Sequence, residues 1–268
     1  MAGRVLHRAG RQPLAPVDEA VISGCGRSEQ EWSRSAPLQT LAQTSVEGLL
    51  ADAQRLVVVS PHPDDEVLGC GGLIASLMQQ RAGATPLLIL SASDGEAAYA
   101  DDPSWPPDRL AAARRQELID ALAALGAASA RVVSLALGDG ALSARREALQ
   151  AALAQQLRAS DLVLVTYAGD GHPDHQACAQ AAAAAAALCG ARLVQYPIWA
   201  WHWSDPDSAP FLRGALKLAL SETARERKRH AIAQFRTQTG HSDPAPRAPI
   251  LPPWALARFH RPFEVFLP

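Results

Sequence analysis

Short apolar segments alternate with helical segments from residue 55 onward, and this alternation limits the fold more than any other feature of the chain. The first segment, Arg55–Ser60, contains three consecutive valines, which is typical of a strand buried on both faces. Similar segments follow at Pro86–Ser91, Arg131–Leu135, Asp161–Tyr167 and Arg192–Ile198. Because strands that alternate with helices are joined by right-handed crossovers, the pattern predicts an α/β three-layer sandwich with a mostly parallel sheet.

The intervening segments have the apolar spacing of helices, and Pro107 and Gly126 mark the start and the end of one of them. Residues 1–50 lack sustained periodicity, so we interpret them as an N-terminal leader with one short helix, Ser45–Ala53, ahead of a single domain over residues 51–268. The predicted helices are Glu66–Arg81, Pro107–Leu125, Leu142–Arg158, Pro173–Cys189 and Glu222–Gln238, and the remaining strands are Ala215–Ser221 and Phe263–Leu267.

Composition excludes several classes of protein. The 268 residues are 48% hydrophobic, enough for a large core, and the formal net charge of −2 gives no electrostatic basis for binding nucleic acid. No apolar run approaches the roughly 18 residues of a membrane span, and no signal peptide is expected, so the predicted compartment is the cytoplasm. The four cysteines form no C-x-x-C pair and are predicted to be small buried residues rather than disulfide partners or zinc ligands.

The loop after the first strand argues against a dinucleotide site. A Rossmann fold that binds dinucleotides carries G-x-G-x-x-G at this point, where the backbone approaches the pyrophosphate. Here the chain reads Ser60-Pro-His-Pro-Asp-Asp-Glu66, and Gly69, Gly71 and Gly72 fall inside the following helix. The fold is therefore expected to be Rossmann-like without the nucleotide-binding loop.

Two His/Asp clusters follow predicted strands. Pro61-His-Pro-Asp-Asp-Glu66 comes after the first strand, and His172-Pro-Asp-His175 comes after the fourth. In a doubly wound sheet the chain reverses between two neighbouring strands, and the loops at their carboxyl ends open the crevice in which ligands bind. With the first and fourth strands as neighbours, both clusters are predicted to face one crevice.

The residue types in these clusters suit a catalytic zinc ion. His62, Asp65 and His175 provide three ligands and leave a fourth position for water, although Fe²⁺ also suits two histidines and one carboxylate. Zinc lowers the pKa of bound water to about 7, so Asp64 is a sufficient base near neutral pH. His172 is then placed to donate to a developing oxyanion. The acids also suit helix caps, an interpretation that we favour for Glu66.

The paired motifs P-H-P-D-D-E and H-P-D-H resemble those of the LmbE-like (PIG-L) family of zinc-dependent N-deacetylases, over about residues 55–268. The resemblance implies that His62, Asp65 and His175 bind the metal, that Asp64 is the general base, and that His172 stabilises the oxyanion or acts as an acid. It also implies that Asp174 orients His172 through a hydrogen bond.

Further matches to the family imply that Glu96, Arg114 and Asp139 line the substrate pocket; surface salt bridges and turns are the alternatives for these three residues. One departure weakens any assignment of the substrate by analogy. Some members that act on pseudo-disaccharides carry Tyr two residues before the first His of H-P-D-H, where this chain has Asp170. Tryptophans alternate over Trp199–Trp203, a pattern that suits either a wall against a substrate or core packing.

The sequence thus predicts a zinc-dependent hydrolase that removes an acetyl or other acyl group from an N-acylated amino sugar or glycoconjugate. Two alternatives stay open: a Rossmann-like small-ligand-binding module, against which the missing Gly-rich loop argues, and a catalytically silent interaction protein, against which the intact Asp64 and both clusters argue. Whether the chain forms a homo-oligomer also stays open.

Overall fold

A computed structural model describes residue 22 and residues 24–81, 85–246 and 248–268. The strands are β1 (Ala42–Thr44), β2 (Arg55–Ser60), β3 (Leu87–Ser91), β4 (Arg131–Ser134), β5 (Asp161–Thr166), β6 (Arg192–Tyr196), β7 (Leu216–Ala219) and β8 (Phe263–Phe266). The helices are α1 (Glu29–Trp32), α2 (Ala36–Gln39), α3 (Val46–Leu50), α4 (Asp65–Arg81), α5 (Pro107–Ala124), α6 (Arg146–Gln156), α7 (Pro173–Cys189), α8 (Ala200–Trp203), α9 (Glu222–Ile232), α10 (Arg236–Thr239) and α11 (Pro253–Leu256). No helix in these ranges is long and apolar enough to cross a membrane.

The main sheet has five parallel strands in the order β4-β3-β2-β5-β6. The chain runs outward from β2 to β3 and β4, then returns to the other side of β2 with β5 and β6. The predicted pairing of the first and fourth strands is confirmed, with Val57 opposite Val163 and Val59 opposite Val165. The reversal between β2 and β5 opens the crevice at the carboxyl end of the sheet.

Two apolar clusters cover the two faces of this sheet, so the predicted three-layer sandwich is confirmed. Leu56 and Val58 of β2 pack with α4, α5 and α9, whereas Val57 and Val59 pack with α6 and α7. Successive side chains of a strand point to opposite faces, so the valine run of β2 serves both clusters. All four side chains are fully buried.

A second, three-stranded sheet was not predicted. β7 pairs in parallel with β1 and antiparallel with β8, and Gln195 of the main sheet bridges to Leu267 just beyond β8. Its strands have only three or four residues. Strands this short carry little periodicity, and β1 lies in the segment that the sequence presents as irregular.

Most predicted helices keep their identity but differ at their ends. α7 has the predicted bounds, with Pro173 at its first position and Gly190 in the left-handed conformation after its end. The helix predicted to begin at Leu142 begins at Arg146 instead, after a series of turns. The helix predicted over Glu222–Gln238 ends at Ile232, and a separate short helix, α10, follows Phe235.

The described part of the predicted leader contains more structure than one short helix. Residues 29–50 form α1, α2, β1 and α3, and Ser45 caps α3 inside the predicted Ser45–Ala53 helix. Trp32 is fully buried in the same apolar cluster as α4. The remainder of the predicted leader, residues 1–21 and 23, lies outside the described residues.

All four cysteines are free thiols. Cys70 and Cys178 are buried as predicted, whereas Cys189 is half-buried and the prediction is wrong for Cys25, which is exposed. Cys25 lies between Gly24 and Gly26, both of which have positive φ.

Candidate active site

Both predicted His/Asp clusters lie on one cavity of about 330 Å³ at the carboxyl end of the main sheet. The loop between β2 and α4 carries the first cluster, and the loop between β5 and α7 carries the second. Because β2 and β5 are paired, the two loops are adjacent. The polar residues that line the cavity are His62, Asp64, Asp65, Arg114, Asp139, His172, His175 and Gln238, and its apolar side includes Leu68, Ile198, Trp199, Ile250 and Leu251.

His62, Asp65 and His175 meet as a group that can hold a metal ion. Each offers one ligand atom, and these atoms lie within 4.8 Å of one another. Asp65 Oδ2 is 3.4 Å from His62 Nδ1 and 3.4 Å from His175 Nε2. Two imidazoles and one carboxylate are the donor set of many catalytic metal sites.

His175 gives independent support for a cation at this point. Its side chain is completely buried, yet its Nε2 atom has no hydrogen-bond partner among the described residues. The other ring nitrogen, Nδ1, donates to Asp170 Oδ2 over 2.7 Å, which leaves Nε2 as the free lone pair. A buried acceptor left unpaired in this way is costly unless a ligand occupies it, so the residues fit a metal.

His62 is surrounded by carboxylates. Its Nε2 atom is 3.0 Å from Asp139 Oδ1 and 3.3 Å from Asp174 Oδ2, and these three residues form a second group with metal-ligand spacing. Burial disfavours the imidazolium, but hydrogen bonds to Asp139, Asp174 and Asp65 outweigh it and hold the pKa of His62 well above its usual range. The carboxylates around His62 therefore favour a positive charge at this point. The contacts at Nε2 also orient the ring so that Nδ1 faces Asp65.

Asp64 belongs to neither metal-binding group and faces the same cavity. Its φ of 146° is in a region that residues other than glycine rarely occupy. Arg114 Nη2 donates to Asp64 Oδ2 over 3.0 Å. Burial raises the pKa of Asp64 to about 7, against the opposing charge of Arg114. A carboxylate with a pKa near 7 is suited to accept a proton at neutral pH.

His172 lies at the start of α7 and lines the cavity as a neutral imidazole. Its Nδ1 accepts a hydrogen bond of 3.2 Å from the backbone N–H of Asp174, so the ring proton lies on Nε2. Burial is the main cause that lowers the pKa of His172 to about 4, and the neighbouring imidazoles of His175 and His62 act in the same direction. Neutral His172 is thus a hydrogen-bond donor, and its ring centroid is 4.7 Å from that of His175.

The predicted hydrogen bond between Asp174 and His172 exists, but it comes from the backbone N–H of Asp174 and not from the carboxylate. The carboxylate accepts from the N–H groups of Gly140 and Leu142 and contacts His62. It therefore supports His62 and the loop before α6. The residue spacing could not distinguish these two arrangements, because Gly140 and Leu142 are more than thirty positions away.

The three predicted substrate-binding residues occupy different positions. Arg114 and Asp139 line the cavity. Glu96 is not among the described residues that line it, and its carboxylate accepts from the N–H groups of Asp94 and Asp139. Arg114 is only 3% exposed, which excludes the surface salt bridge considered from the sequence. Glu96 supports the loop that carries Asp139, and a contact of Glu96 with substrate stays a prediction.

The three alternating tryptophans have three different environments. Trp199 lines the cavity, whereas Trp201 packs in the core against Trp32 and Phe211. The Nε1 atom of Trp203 donates to the backbone oxygen of Asp170 over 2.9 Å. Trp201 thus has the core-packing position, whereas a contact of Trp199 with a substrate stays a prediction.

Sequence reasoning missed several residues of the site. Asp170 was noted only as a departure from the family pattern, although its carboxylate accepts from His175. Ile250 and Leu251 close one side of the cavity from a proline-rich stretch that carries no motif. Gln238 was predicted as the last residue of a helix and not as a residue of the site.

This combination of a doubly wound parallel sheet and a His/Asp metal-binding group at its carboxyl edge defines a Rossmann-like α/β protein with a candidate metal centre. Residues 57–186 match the sequence model of a known family, described as "PIG-L: GlcNAc-PI de-N-acetylase". Over these residues the chain is similar to the PIG-L family, and the resemblance that the paired motifs predicted is confirmed.

Individual relatives agree with this likeness. The chain is 34% identical over 181 residues to a 1D-myo-inositol 2-acetamido-2-deoxy-alpha-D-glucopyranoside deacetylase of Rhodococcus erythropolis, covering 59% of this chain and 60% of that protein. It is 32% identical over 134 residues to a probable N-acetyl-alpha-D-glucosaminyl L-malate deacetylase of Bacillus subtilis, covering 48% of this chain and 58% of that one. The chain thus spans about 60% of the length of these two relatives.

The fold is similar to that of N,N'-diacetylchitobiose deacetylase from Pyrococcus horikoshii. The TM-score is 0.55 at 21% identity, and the match covers 71% of this chain and 73% of that one. At this identity the likeness concerns the fold.

Proposed function

We propose that this protein is a metal-dependent amide hydrolase that removes an acetyl or other acyl group from an N-acylated amino sugar or glycoconjugate. The observation that carries the proposal is the position of Asp64 and His172 beside a buried three-ligand group in which His175 Nε2 is unpaired. The relatives are named as deacetylases of two different N-acetylglucosamine conjugates, which supports the reaction and the sugar class. We further propose that the protein acts in the cytoplasm without a nucleic-acid partner.

His62, Asp65 and His175 would hold the metal, with Zn²⁺ as the expected ion and Fe²⁺ as the alternative. When bound, such an ion lowers the pKa of a water ligand and polarises the carbonyl oxygen of the substrate. Asp139 and Asp174 hold His62 from its Nε2 side, and Asp170 holds His175 from its Nδ1 side. Both imidazoles are therefore oriented by carboxylates outside the ligand set.

The remaining chemistry is assigned to two side chains. Asp64 accepts the proton of the attacking water, a role that suits a carboxylate that lines the cavity outside the ligand set. His172 donates a hydrogen bond from Nε2 to the carbonyl oxygen as negative charge develops there. The proton on Asp64 then passes to the nitrogen of the leaving amine. Because His172 is neutral near pH 7, we assign it oxyanion stabilisation rather than proton donation.

The cavity suits a small substrate with one polar and one apolar side. About 330 Å³ is at the lower end of the usual range for small-molecule sites, which favours one sugar unit with its acyl group. Arg114, Asp139 and Glu96 are our candidates for polar contacts with the substrate. The half-buried ring of Trp199 offers an apolar face for the sugar.

Hydrolysis of a panel of N-acetylglucosamine conjugates by the zinc-loaded protein tests the proposal. We expect acetate release that requires the metal and that falls at least about 100-fold in Asp64→Asn, because a general base typically contributes 10²- to 10⁴-fold. Asp94→Asn is the matched control, since Asp94 is a buried acid of the neighbouring loop that does not line the cavity. Activity that survives both chelation and Asp64→Asn would refute the mechanism.

A further inference from the structure

Asp170 occupies the position at which the chain departs from some of its family, and its environment shows what this carboxylate does. It is completely buried and accepts four hydrogen bonds, two at each oxygen. Oδ2 accepts from His175 Nδ1 over 2.7 Å and from the backbone N–H of Trp199 over 2.9 Å. Oδ1 accepts from the N–H groups of Ile198 and Ala200 over 3.0 and 2.9 Å.

The three backbone donors belong to residues 198–200, which we name the wall segment. Ile198 and Trp199 line the cavity, and Ala200 begins α8. Three successive N–H groups converge on one carboxylate, so the conformation of the wall segment depends on that charge. The backbone oxygen of Asp170 accepts in turn from Nε1 of Trp203, the last residue of α8, which ties the loop to that helix a second time.

We propose that Asp170 is a positioning residue that sets the metal ligand His175 and the wall segment together. His175 keeps Nε2 directed at the metal position only while Nδ1 donates to Asp170. The same carboxylate fixes the backbone from which the Trp199 ring reaches the cavity. The metal and the sugar-binding face are thereby coupled through one side chain. The sugar-binding part of this inference rests on the proposed function, whereas the coupling of His175 to the wall segment does not.

Asp170→Asn is the direct test, because it keeps the shape but replaces one acceptor oxygen with an N–H₂ group that faces existing donors. We expect the dissociation constant for Zn²⁺, measured by competition with a chromophoric chelator, to rise about 10- to 100-fold. We also expect faster amide hydrogen exchange in peptides that cover residues 198–200. Asp170→Glu keeps the charge but moves both oxygens, so the same changes are expected there, and it serves if the asparagine variant does not fold.

Asp161→Asn is the matched control. Asp161 is a buried carboxylate at the other end of β5, where it pairs with Arg55 and accepts from the N–H of Arg158. Its replacement is expected to lower the melting temperature without changing zinc affinity or exchange at residues 198–200. Zinc affinity within threefold of wild type in a folded Asp170→Asn protein would overturn the assignment.

The coupling has its own readout. In the wild type, added zinc should slow exchange at residues 198–200, because fixing His175 also fixes Asp170; in Asp170→Asn this effect should disappear. Unchanged exchange in the wild type would overturn the coupling. Enzyme kinetics are a separate test. At saturating zinc, Asp170→Asn is expected to raise the KM for the N-acylated amino sugar, because the wall segment is no longer fixed. A wild type without activity on N-acylated amino sugars would refute the proposed function, while the zinc and exchange results would still decide the role of Asp170.

Discussion

At the scale of single residues, the candidate base is positioned by an arginine fifty residues away. Arg114 donates to the carboxylate of Asp64, to the backbone oxygen of Pro63 and, from its other terminal nitrogen, to the backbone oxygen of Gly95. The unfavourable φ of Asp64 persists because these contacts hold both its backbone and its side chain. Gly95 is required here, since a Cβ atom at this position would overlap the guanidinium.

Arg114→Lys is therefore expected to lower kcat by about 10- to 100-fold, because an ammonium cannot make all three contacts and a misplacement of about 1 Å has effects of this size. Zinc content, measured by metal analysis, should stay at the wild-type level, since Arg114 contacts none of the three ligands. Arg115→Lys at the adjacent, half-exposed arginine that pairs with Asp94 should keep wild-type kcat. A normal kcat in Arg114→Lys would contradict the positioning of Asp64 by this residue.

The sequence identified the site residues that lie within two short motifs. His62, Asp64, Asp65, His172 and His175 were all nominated, and all five line one cavity. The spacing of the motifs could not show which atom of each side chain faces the metal position or the cavity, or which neighbouring groups orient that side chain. Asp139, the partner of His62, comes from a loop that only the completed sheet brings near. Asp170 lies five residues before His175, but the sequence does not show that the two side chains meet.

At the scale of elements, the position of Asp65 depends on how closely α4 approaches the sheet. Gly69, one turn after Asp65, lies against the ring of Tyr196 on β6. A Cβ atom at residue 69 would be 2.2 Å from Tyr196 Cδ2, and the ring cannot withdraw because it is fully buried and its hydroxyl donates to the backbone oxygen of Val59. The absence of a side chain at this point lets the first turn of α4 reach the metal-binding group.

Gly69→Ala is expected to destabilise the protein by about 1–3 kcal/mol, because the strain of overpacking exceeds the roughly 1 kcal/mol that alanine gains in helix propensity. Gly71→Ala is the control on the same helix. There the nearest atom is Lys228 Cγ at 3.2 Å, a much milder approach than that at residue 69, so the change should stay within about 1 kcal/mol. Urea unfolding followed by circular dichroism measures both, and equal effects would mean that the contact with Tyr196 is not limiting.

The elements themselves were predictable where burial imposes a long pattern. β2 reads as a strand because both of its faces are covered, and α7 reads as a helix because Pro173 and Gly190 mark its ends. The second sheet was not predictable, since β1 has three residues and pairs with β7 over 170 positions further along the chain. Such pairing depends on the packing of the assembled core, so the residues of the strands themselves give almost no signal of it.

At the scale of the whole molecule, the N-terminal segment and the C-terminal strand meet around His260. This residue lines a groove of about 350 Å³ together with Trp32, Leu38 and Phe263, and its Nε2 atom has no partner among the described residues. Burial, with the charges of Lys228 and Arg229, lowers the pKa of His260. The junction is thus unfavourable for a protonated imidazole.

This shift sets the sign of a pH effect on stability. Between the lowered pKa and the unfolded value near 6.5, the unfolded chain binds more protons than the folded one, so the free energy of unfolding falls as the pH drops. We expect His260→Gln to reduce the difference in melting temperature between pH 7.5 and pH 5.5. His230→Gln, at an exposed site on α9, should leave that difference unchanged. An identical difference in wild type and His260→Gln would contradict the shift.

The extent of the folding unit can be tested at Trp32. Its indole is fully buried, packs edge-on against Trp201 at 4.9 Å, and donates from Nε1 to the backbone oxygen of Trp201 over 2.7 Å. Arg261, which lies over the Trp201 ring, pairs with Glu29 and fastens the same segment. We therefore propose that the segment from about residue 28 folds together with the domain predicted to begin at residue 51.

Trp32→Ala should then lower the free energy of unfolding by about 3–5 kcal/mol, the usual cost of removing a large aromatic side chain from a core. Trp254→Ala, where the indole is 37% exposed, should cost much less. If residues 28–50 were an independent leader, Trp32→Ala would leave the main urea transition unchanged. The core cluster that contains Trp32 also contains residues of α4 and Trp201. If circular dichroism and zinc release both report one transition, and Trp32→Ala shifts it, the segment, the sheet and the metal site unfold together.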